Sequence, residues 1–368
     1  MNKCTLVIDM NWLLISRVSV MLKQFQLNNP DNVLEAAAEE LQNRLAQSIG
    51  AVLNILTGVD NLVMIADGGS WRKRLEQPKI IKDVVYKGNR THKEDIDWDR
   101  IFHTLNNFMK HAASLGVTCS QARDVEGDDW AWYWSTTLNK RGINCIIWTS
   151  DNDLKQLVKY DGETNTFTAW YNSKAGLWLD SKLSPVQEDD IDFFMKVIEP
   201  KPTMLESLSK WPLDKSYISP FSIVLEKILM GDAGDNIKPV ISYLKNGRTQ
   251  NFSMKDFEKI TEKYDIDSMD DLLKERNNIS RDIVDMKKFN HLKRDPSIVE
   301  EMIVFNGRLV WLNSRVIPKD IVDRMSESEY KLYDVDYVRS NYKVFIEDKN
   351  NEIESIFDSI TGSGDFNF

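Results

Sequence analysis

The sequence predicts an α/β protein with a mainly parallel, twisted sheet and flanking helices, followed by a helical domain. Short apolar, β-rich runs at residues 5–8, 61–66 and 144–149 alternate with stretches of helical periodicity, as in a parallel sheet whose strands are joined by crossover helices. The chain of 368 residues is also long enough for two domains of about 100 to 200 residues each.

Stretches with apolar residues at helical spacing are the predicted helices. Residues 34–56 and 101–115 are expected to cross over between strands. After about residue 200 strand patterns become rare, and the helices expected there are residues 221–230, 254–264 and 280–288. We therefore divide the chain into an α/β domain at 1–200, a mainly helical domain at 201–345, and a C-terminal helix with a flexible tail at 346–368.

Composition and charge indicate a folded cytoplasmic protein. Apolar residues make up 42% and charged residues 28%, and no apolar run reaches the roughly 18 to 20 residues that span a bilayer. The N-terminus enters a strand pattern without a signal peptide. The three scattered cysteines argue against a disulfide framework or a zinc–cysteine site, and the net charge of −10 by itself argues against a nucleic-acid ligand.

Aspartates follow the predicted strands. Asp9 ends the first strand, Asp67 follows the second, and Asp151 and Asp153 come shortly after the third. In open parallel sheets the crevice beyond the carboxyl ends of the strands is where ligands bind, so these side chains are expected to converge. A single aspartate in such a position is more often a turn or helix-capping residue, and this alternative stays open for each one taken alone.

Two more acidic groups are expected at the same crevice. Glu126, Asp128 and Asp129 stand at the start of a predicted helix, and Asp232 and Asp235 lie in a Gly-rich turn that closes another. These motifs contain no matching set of Lys or Arg, so the acids would repel one another. Two Mg²⁺ ions, or Mn²⁺ in their place, about 3.5 to 4 Å apart would relieve the repulsion and form the clamp used in phosphodiester hydrolysis. The pattern predicts a metal-dependent nuclease.

Residues 71–93 are strongly basic within this acidic chain. Their Lys and Arg residues are Arg72, Lys73, Arg74, Lys79, Lys82, Lys87, Arg90 and Lys93. The segment follows Asp67 closely, so it is expected to lie over the acidic crevice and to neutralise the phosphates of a polyanion. Trp71 and Tyr86 are expected to stack on unpaired bases. The alternative is a solvated loop without a ligand.

Six short motifs, taken in order, resemble the 5′-nuclease superfamily of flap endonucleases and 5′-3′ exonucleases. They are LVIDMN, VMIADGGSWRKRL, YKGNR, VEGDDW, TSDNDLKQLV and GDAGDNI, between residue 6 and about residue 236. Each motif is weak alone, whereas all of them in one order are specific. Within the superfamily the chain most closely resembles the T-even-phage type of ribonuclease H, which implies a PIN-like fold and, for a phage protein, the host cytoplasm.

The resemblance implies a role for each acidic and basic group. The implied metal ligands are Asp9, Asp67, Glu126, Asp128, Asp129, Asp151, Asp153, Asp232 and Asp235. Lys87, Arg72 and Arg90 are implied to stabilise charge on the scissile phosphate, and about residues 71–98 to form a mobile helical arch. The implied DNA contacts are Arg74, Lys79, Lys82, Tyr86, Lys93, Lys238, Lys245 and Arg248.

The resemblance also implies the reaction. It would be Mg²⁺-dependent hydrolysis, directed by the 5′ end, of flap DNA and of RNA in RNA:DNA hybrids, as in primer removal during DNA replication. The helical domain would hold the downstream duplex. In many members the last motif continues into a glycine-rich hairpin that grips this duplex and often binds a potassium ion. Here residues 237–252 lack those glycines and keep three basic residues.

The C-terminal tail allows two interpretations. Ile353, Ile356, Phe357 and Ile360 lie at helical spacing, and the last three residues are Phe-Asn-Phe. Apolar-aromatic C-terminal peptides of this kind resemble those by which replication enzymes dock on a sliding clamp. The alternative is a last helix that packs on the body of the protein, which is expected to be a monomer.

Three other functions fit less well. A haloacid-dehalogenase-type phosphatase needs a second Asp two residues after Asp9, where Asn11 stands instead. A PIN-type ribonuclease shares the acidic site, but the basic insert and the GDAGDN motif favour the 5′-nuclease. A replication accessory protein that binds forked DNA without cutting it would be expected to have lost carboxylates, and none is lost here.

Overall fold

A mainly parallel sheet organises the protein in the computed structural model, which describes residues 3–25, 33–56, 58–81, 84–90, 97–172, 176–180 and 215–327. Its strands are β1 (Cys4–Asp9), β2 (Asn61–Ile65), β3 (Thr118–Ser120), β4 (Asn144–Trp148), β5 (Lys159–Asp161), β6 (Thr166–Asn172), β7 (Gly176–Asp180) and β8 (Lys215–Ile218). Their order is β3-β2-β1-β4-β6-β7-β8, with β5 beside β6. Pairing is parallel from β3 to β6, antiparallel between β6 and its neighbours β5 and β7, and parallel again between β7 and β8. The predicted fold class is confirmed.

Helices cover both faces of this sheet. They are α1 (Met10–Phe25), α2 (Val33–Ile55), α3 (Trp98–Ser114) and α4 (Gly127–Lys140). Leu6 and Ile8 belong to a core cluster with residues of α1, α2 and α3, whereas Val7 belongs to a second cluster with residues of α4. Successive strand residues point to opposite faces, so a strand covered on both sides is apolar throughout. This is why the sequence shows uninterrupted apolar runs rather than alternation.

The second half of the described chain is mainly helical. Its helices are α5 (Pro220–Met230), α6 (Met254–Lys263), α7 (Met269–Asp285), α8 (Pro296–Val310) and α9 (Lys319–Glu327). Residues of α5 to α8 share one core cluster, but Ile321 and Met325 of α9 pack with Trp130 of α4. The chain therefore returns to the sheet, and the domain limits remain a prediction. None of the helices in the described ranges combines the length and the apolar character needed to cross a bilayer.

Three details differ from the sequence expectations. Strands β5 to β8 extend the sheet beyond the three predicted strands. The helix predicted at 280–288 begins earlier, at Met269, because the Ser268 side chain caps it by accepting the Asp271 N–H (3.2 Å). A hairpin of β9 (Ser242–Lys245) and β10 (Arg248–Asn251) follows the last acidic motif. Asn246 and Gly247 both have positive φ (51° and 73°) at its turn, as tight hairpins require.

Candidate metal centre and nucleic-acid interface

The carboxyl ends of β1, β2 and β4 meet at one edge of the sheet. Parallel pairing sets Asp9 beside Ile65, and Asp67 follows two residues later. Thr149 joins the ends of β1 and β4, because its hydroxyl donates to Asp9 Oδ2 (2.9 Å) and accepts the Asp151 N–H (3.0 Å). The structure thus brings Asp9, Asp67 and Asp151 to one crevice.

The first turn of α4 closes the side of this crevice. The Gly127 N–H donates to Asp67 Oδ1 (2.5 Å), which holds the helix against the end of β2. Gly68 permits this close approach. Its N–H donates to the Val125 carbonyl (2.8 Å), and a Cβ at this position would lie only 1.8 Å from the Ala122 carbonyl oxygen. Asp128, the residue after Gly127, adds a fourth carboxylate to the crevice.

Four carboxylates at the crevice form no ion pair in the part of the chain that the structure describes. They are Asp9, Asp67, Asp128 and Asp151. Burial raises the pKa of Asp9 to about 7, and the charges of Asp67 and Asp151 add to this. Burial likewise raises the pKa of Asp67, and burial together with the charge of Asp151 holds the pKa of Asp128 well above its ordinary range. Like charges crowded in this way favour a bound cation.

Arg72 is buried and binds two acids of the crevice, and its contact with phosphate stays a prediction. Its guanidinium is 2% exposed and binds Asp129 through both terminal nitrogens (2.8 and 3.1 Å) and Glu126 through one of them (2.5 Å). Asp129 is fully buried and also accepts the indole N–H of Trp71 (3.0 Å). Its role as a metal ligand stays a prediction. Trp71 itself is 2% exposed, so its ring packs in the core of this structure.

Glu126 is shared between two cations. Arg72 binds one carboxylate oxygen and Lys87 Nζ binds the other, both at 2.5 Å. Burial would raise the pKa of Glu126, but the charges of Arg72 and Lys87 outweigh it and lower the pKa. Burial would lower the pKa of Lys87, but the charges of Glu126 and of neighbouring acidic groups outweigh it and raise that pKa. Because its side chain is 15% exposed, Lys87 remains open to the crevice while Arg72 does not.

The turn formed by residues 84–90 is fastened to the GDAGDN loop. The Lys87 N–H donates to the Asp235 carbonyl (2.8 Å), and the Asn236 side-chain amide donates to the Val85 carbonyl (2.9 Å). Arg90, half exposed, forms an ion pair with the Asp235 carboxylate. These bonds set Lys87 and Arg90 on the side of the crevice that faces the second half of the chain.

The basic segment does not form a helical arch in its described part. Residues 71–81 contain two short 3₁₀ turns, Trp71–Arg74 and Lys79–Ile81, and residues 84–90 form the docked turn. Tyr86 is 7% exposed, and its hydroxyl donates to Asp235 Oδ2 (3.3 Å). Tyr86 is thus packed in the core of this structure, and its contact with unpaired bases stays a prediction.

A second acidic group lies beside the first. One carboxylate oxygen of each of Asp153, Asp232 and Asp235 lies within 4.8 Å of the others. Lys227 Nζ on α5 forms ion pairs with Asp153 and Asp232. Burial and the charge of Asp151 raise the pKa of Asp153 to about 6, against the opposing charge of Lys227. Sequence reasoning missed Lys227, although its position five residues before Asp232, across a helix-ending glycine, was a usable signal.

Cations from elsewhere in the chain pair with five of the nine acids, although the acids' own motifs hold no matching set of Lys and Arg. The paired acids are Glu126, Asp129, Asp153, Asp232 and Asp235. These partners were missed because only the tertiary fold brings them to the acids.

The remaining predicted DNA contacts are spread over the surface. Arg74 is 55% exposed and pairs with Asp124 (2.8 Å). The other exposed cations are Lys79, Lys238, Lys245 and Arg248, the last two on the β9–β10 hairpin. Lys82 and Lys93 lie outside the described residues, as do Ile353, Ile356, Phe357 and Ile360 of the tail.

Solved structures of similar fold come from bacteriophage T5. The T5 5′-exonuclease with bound divalent zinc ions has a TM-score of 0.51 and 16% identity, over 88% of this chain and 97% of that one. The chain has the 5′-nuclease fold. The resemblance found in the motifs thus holds at the level of the fold, and the closer likeness to the T-even-phage type stays a prediction. No protein-family model and no curated protein matches the sequence.

Two further T5 structures have the 5′-nuclease fold at lower similarity. The D15 protein crystallised with metal ions has 16% identity and a TM-score of 0.48, and the D15 flap endonuclease in a pseudo-enzyme-product complex with DNA and metal ions has 15% identity and a TM-score of 0.49. Both alignments cover 94% of this chain and 100% of the other.

Proposed function

We propose that this protein is a metal-dependent, structure-specific 5′-nuclease that acts as a 5′-3′ exonuclease and flap endonuclease in DNA replication, with ribonuclease H activity on RNA primers. The observation that carries the proposal is the group of four carboxylates without ion pairs, Asp9, Asp67, Asp128 and Asp151, beside the open Lys87. A crowded set of like charges is costly unless it serves a ligand.

The donor set fits a hard divalent cation. Carboxylate oxygens are the ligands that Mg²⁺ and Mn²⁺ prefer, and no described His or Cys belongs to either acidic group. One Mg²⁺ would be held by Asp9, Asp67, Asp128 and Asp151. A second would be held by Asp153, Asp232 and Asp235 once Lys227 has moved away from Asp153 and Asp232. When bound, these ions supply the charge that activates water and stabilises the leaving oxygen in phosphodiester hydrolysis.

The residues of the chain orient this chemistry. Thr149 and the Gly127 N–H fix the carboxylates of Asp9 and Asp67 in place. Lys87 and Arg90 lie across the crevice from these acids, on the turn held by the GDAGDN loop. There they would bind the oxygens of the scissile phosphate and of its neighbour, and so hold a polyanion against the acids.

The proposed substrates are flap or forked DNA and RNA:DNA hybrids. The β9–β10 hairpin replaces the glycine-rich hairpin of many family members, and it exposes Lys245 and Arg248 without an acidic residue between positions 236 and 251. Phosphate contacts of this kind position a duplex without reading its sequence. This favours recognition of duplex shape next to the cleavage site.

The test is cleavage of an end-labelled 5′-flap DNA and an RNA:DNA hybrid with Mg²⁺, Mn²⁺ or EDTA. Wild type is compared with Asp151→Asn, with Lys87→Ala, and with the matched control Asp285→Asn at an exposed position of α7. We expect metal-dependent products released from the 5′ side, their loss in Asp151→Asn, a drop of roughly a hundredfold or more in Lys87→Ala, and no change in the control. Binding of forked DNA without any cleavage would favour the accessory-protein alternative, and cleavage of single-stranded RNA alone would favour the PIN-type ribonuclease.

A further inference from the structure

The C-terminal end of α8 contacts the elements that carry both acidic groups, although no motif marks this part of the sequence. Asn306 is fully buried, and its side-chain amide donates to the carbonyls of Ile228 (2.8 Å) and Lys238 (2.9 Å). Ile228 follows Lys227 on α5, and Lys238 follows the GDAGDN loop. Asn306 therefore joins both flanks of the turn that carries Asp232 and Asp235.

One turn further along, α8 contacts the buried Arg72. Arg72 Nε donates to the Leu309 carbonyl (2.9 Å), while its terminal nitrogens hold Glu126 and Asp129. The Leu309 carbonyl is among the last four of the helix, which have no partner within the helix itself. The helix end thus supplies the acceptor that completes the guanidinium's contacts.

Gln156 connects the same helix end to the strand-end acids. Its side-chain amide donates to the carbonyls of Asp153 and Val310 (both 3.0 Å), and its oxygen accepts the Leu312 N–H (2.9 Å). Gln156 lies in the 3₁₀ turn that directly follows Asp151. The loop that carries Asp151 and Asp153 is therefore bonded to the backbone on both sides of the point where α8 ends.

We propose that the end of α8, residues 306–312, is the positioning element of the acidic crevice, and that Asn306 and Gln156 are its positioning residues. This inference rests on the proposed nuclease function. Three walls carry seven of the nine acids: the GDAGDN turn, the start of α4 held by Arg72, and the loop after β4. Each is bonded to this one helix end. Mutation of partners that orient the ligands of a metal typically weakens metal affinity or activity by about 10- to 100-fold.

The geometry explains why a helix end serves this purpose. The Leu309 and Val310 carbonyls need partners because they lie in the last turn of α8, and side chains from the acidic walls provide them. If either anchor is removed, a buried donor or acceptor loses its partner and one wall becomes free to shift relative to the others. A shift of an ångström between walls is enough to weaken a metal clamp.

The experiment compares Asn306→Leu and Gln156→Met with wild type and with the control Asn278→Leu, which changes an exposed Asn of α7. Thermal unfolding selects conditions in which every variant is folded. Mn²⁺ binding is then measured by calorimetry without DNA, and kcat and KM are measured separately on flap DNA. We expect both positioning variants to bind Mn²⁺ about tenfold more weakly than wild type. Their kcat should fall, while KM should change less. The control Asn278→Leu should match wild type in all three quantities.

Folded variants that bind Mn²⁺ with wild-type affinity would overturn the inference. If a variant fails to fold, the inference is tested instead by hydrogen exchange on the wild-type protein. Mn²⁺ should slow exchange of the amides at residues 309–312 together with those of the loop after β4, and an unchanged rate at 309–312 would equally overturn the inference. The two proposals can fail separately. If the wild type binds Mn²⁺, and the two substitutions weaken that binding, but flap DNA is not cut, the nuclease function is refuted and the positioning element is supported.

Discussion

Replacing Arg72 separates its structural role from the phosphate-binding role that the motif implies. Arg72→Met keeps an unbranched apolar side chain and removes the guanidinium, so the buried carboxylates of Glu126 and Asp129 lose a shared partner. The matched control is Arg74→Met, two positions away in the same 3₁₀ turn. Arg74 is 55% exposed and pairs only with Asp124 among the described residues.

The two substitutions should differ strongly in stability. Removing one partner of a buried ion pair costs about 3 to 5 kcal/mol, whereas an exposed pair contributes about 0 to 1 kcal/mol. Arg72 also gives up its bond to the Leu309 carbonyl, which leaves an acceptor in the core without its partner. For a domain of about 200 residues, at about 2 to 4 °C per kcal/mol, the Arg72→Met loss corresponds to a fall in Tm of roughly 6 to 20 °C, and that of Arg74→Met to about 4 °C at most.

The assay is thermal and urea unfolding followed by circular dichroism, in EDTA at neutral pH, alongside flap cleavage and DNA binding. Arg74→Met is expected to keep its unfolding midpoint and to bind DNA somewhat more weakly, with a smaller salt dependence. An Arg72→Met protein with a wild-type unfolding midpoint and lost cleavage would refute the reasoning, because it would place Arg72 on the phosphate rather than in the core.

Three further predictions concern the acids and the backbone that holds them. Asp128→Asn removes a charge from a crowded set, so it should raise the unfolding midpoint in EDTA and abolish cleavage; a lowered midpoint in EDTA would contradict this. The raised pKa values of Asp9, about 7, and Asp153, about 6, mean that the folded metal-free protein binds more protons than the unfolded chain between about pH 4 and 7. Stability in EDTA should therefore fall as pH rises through that window, and Mn²⁺ binding at pH 6 should release protons, measurable by calorimetry in buffers of different ionisation enthalpy. Gly68→Ala would set a Cβ 1.8 Å from the Ala122 carbonyl oxygen, so unfolding should begin at a lower temperature and cleavage should be lost; wild-type behaviour would mean that the loop yields freely.

Local sequence pattern was sufficient for the features that depend on neighbouring residues. The strands that carry Asp9, Asp67 and Asp151 were predictable, because a strand buried on both faces is apolar throughout and the acids follow each strand directly. Parallel topology then brings their carboxyl ends together without further information. Strands β5 to β8 were not predicted, since polar or charged residues interrupt or flank their apolar residues in each case, as in KYD, TFTAWYN, GLWLD and KSYI.

The pairing of charges could not be predicted, because it depends on residues that are distant in sequence. In the sequence, Arg72 is one of several cations in a basic segment. No neighbouring residue indicates that it is buried against Asp129, which lies 57 positions away. The burial of Tyr86 was unpredictable for the same reason, since its environment is supplied by the second half of the chain. The cost of burying a charge is met by a specific partner, so charge alone does not indicate exposure.

The bonds at the end of α8 also bear on how the protein is made. Arg72 and Leu309 are 237 positions apart, and Gln156 and Leu312 are 156 apart. During synthesis the N-terminal region folds first, so the sheet and its strand-end acids can form while α8 is still inside the ribosome. Until residue 312 emerges, Arg72 and Gln156 have no acceptor from α8 and the walls of the crevice are not yet joined. The acidic crevice would in this way be completed only late in synthesis, once residues 306–312 have left the ribosome.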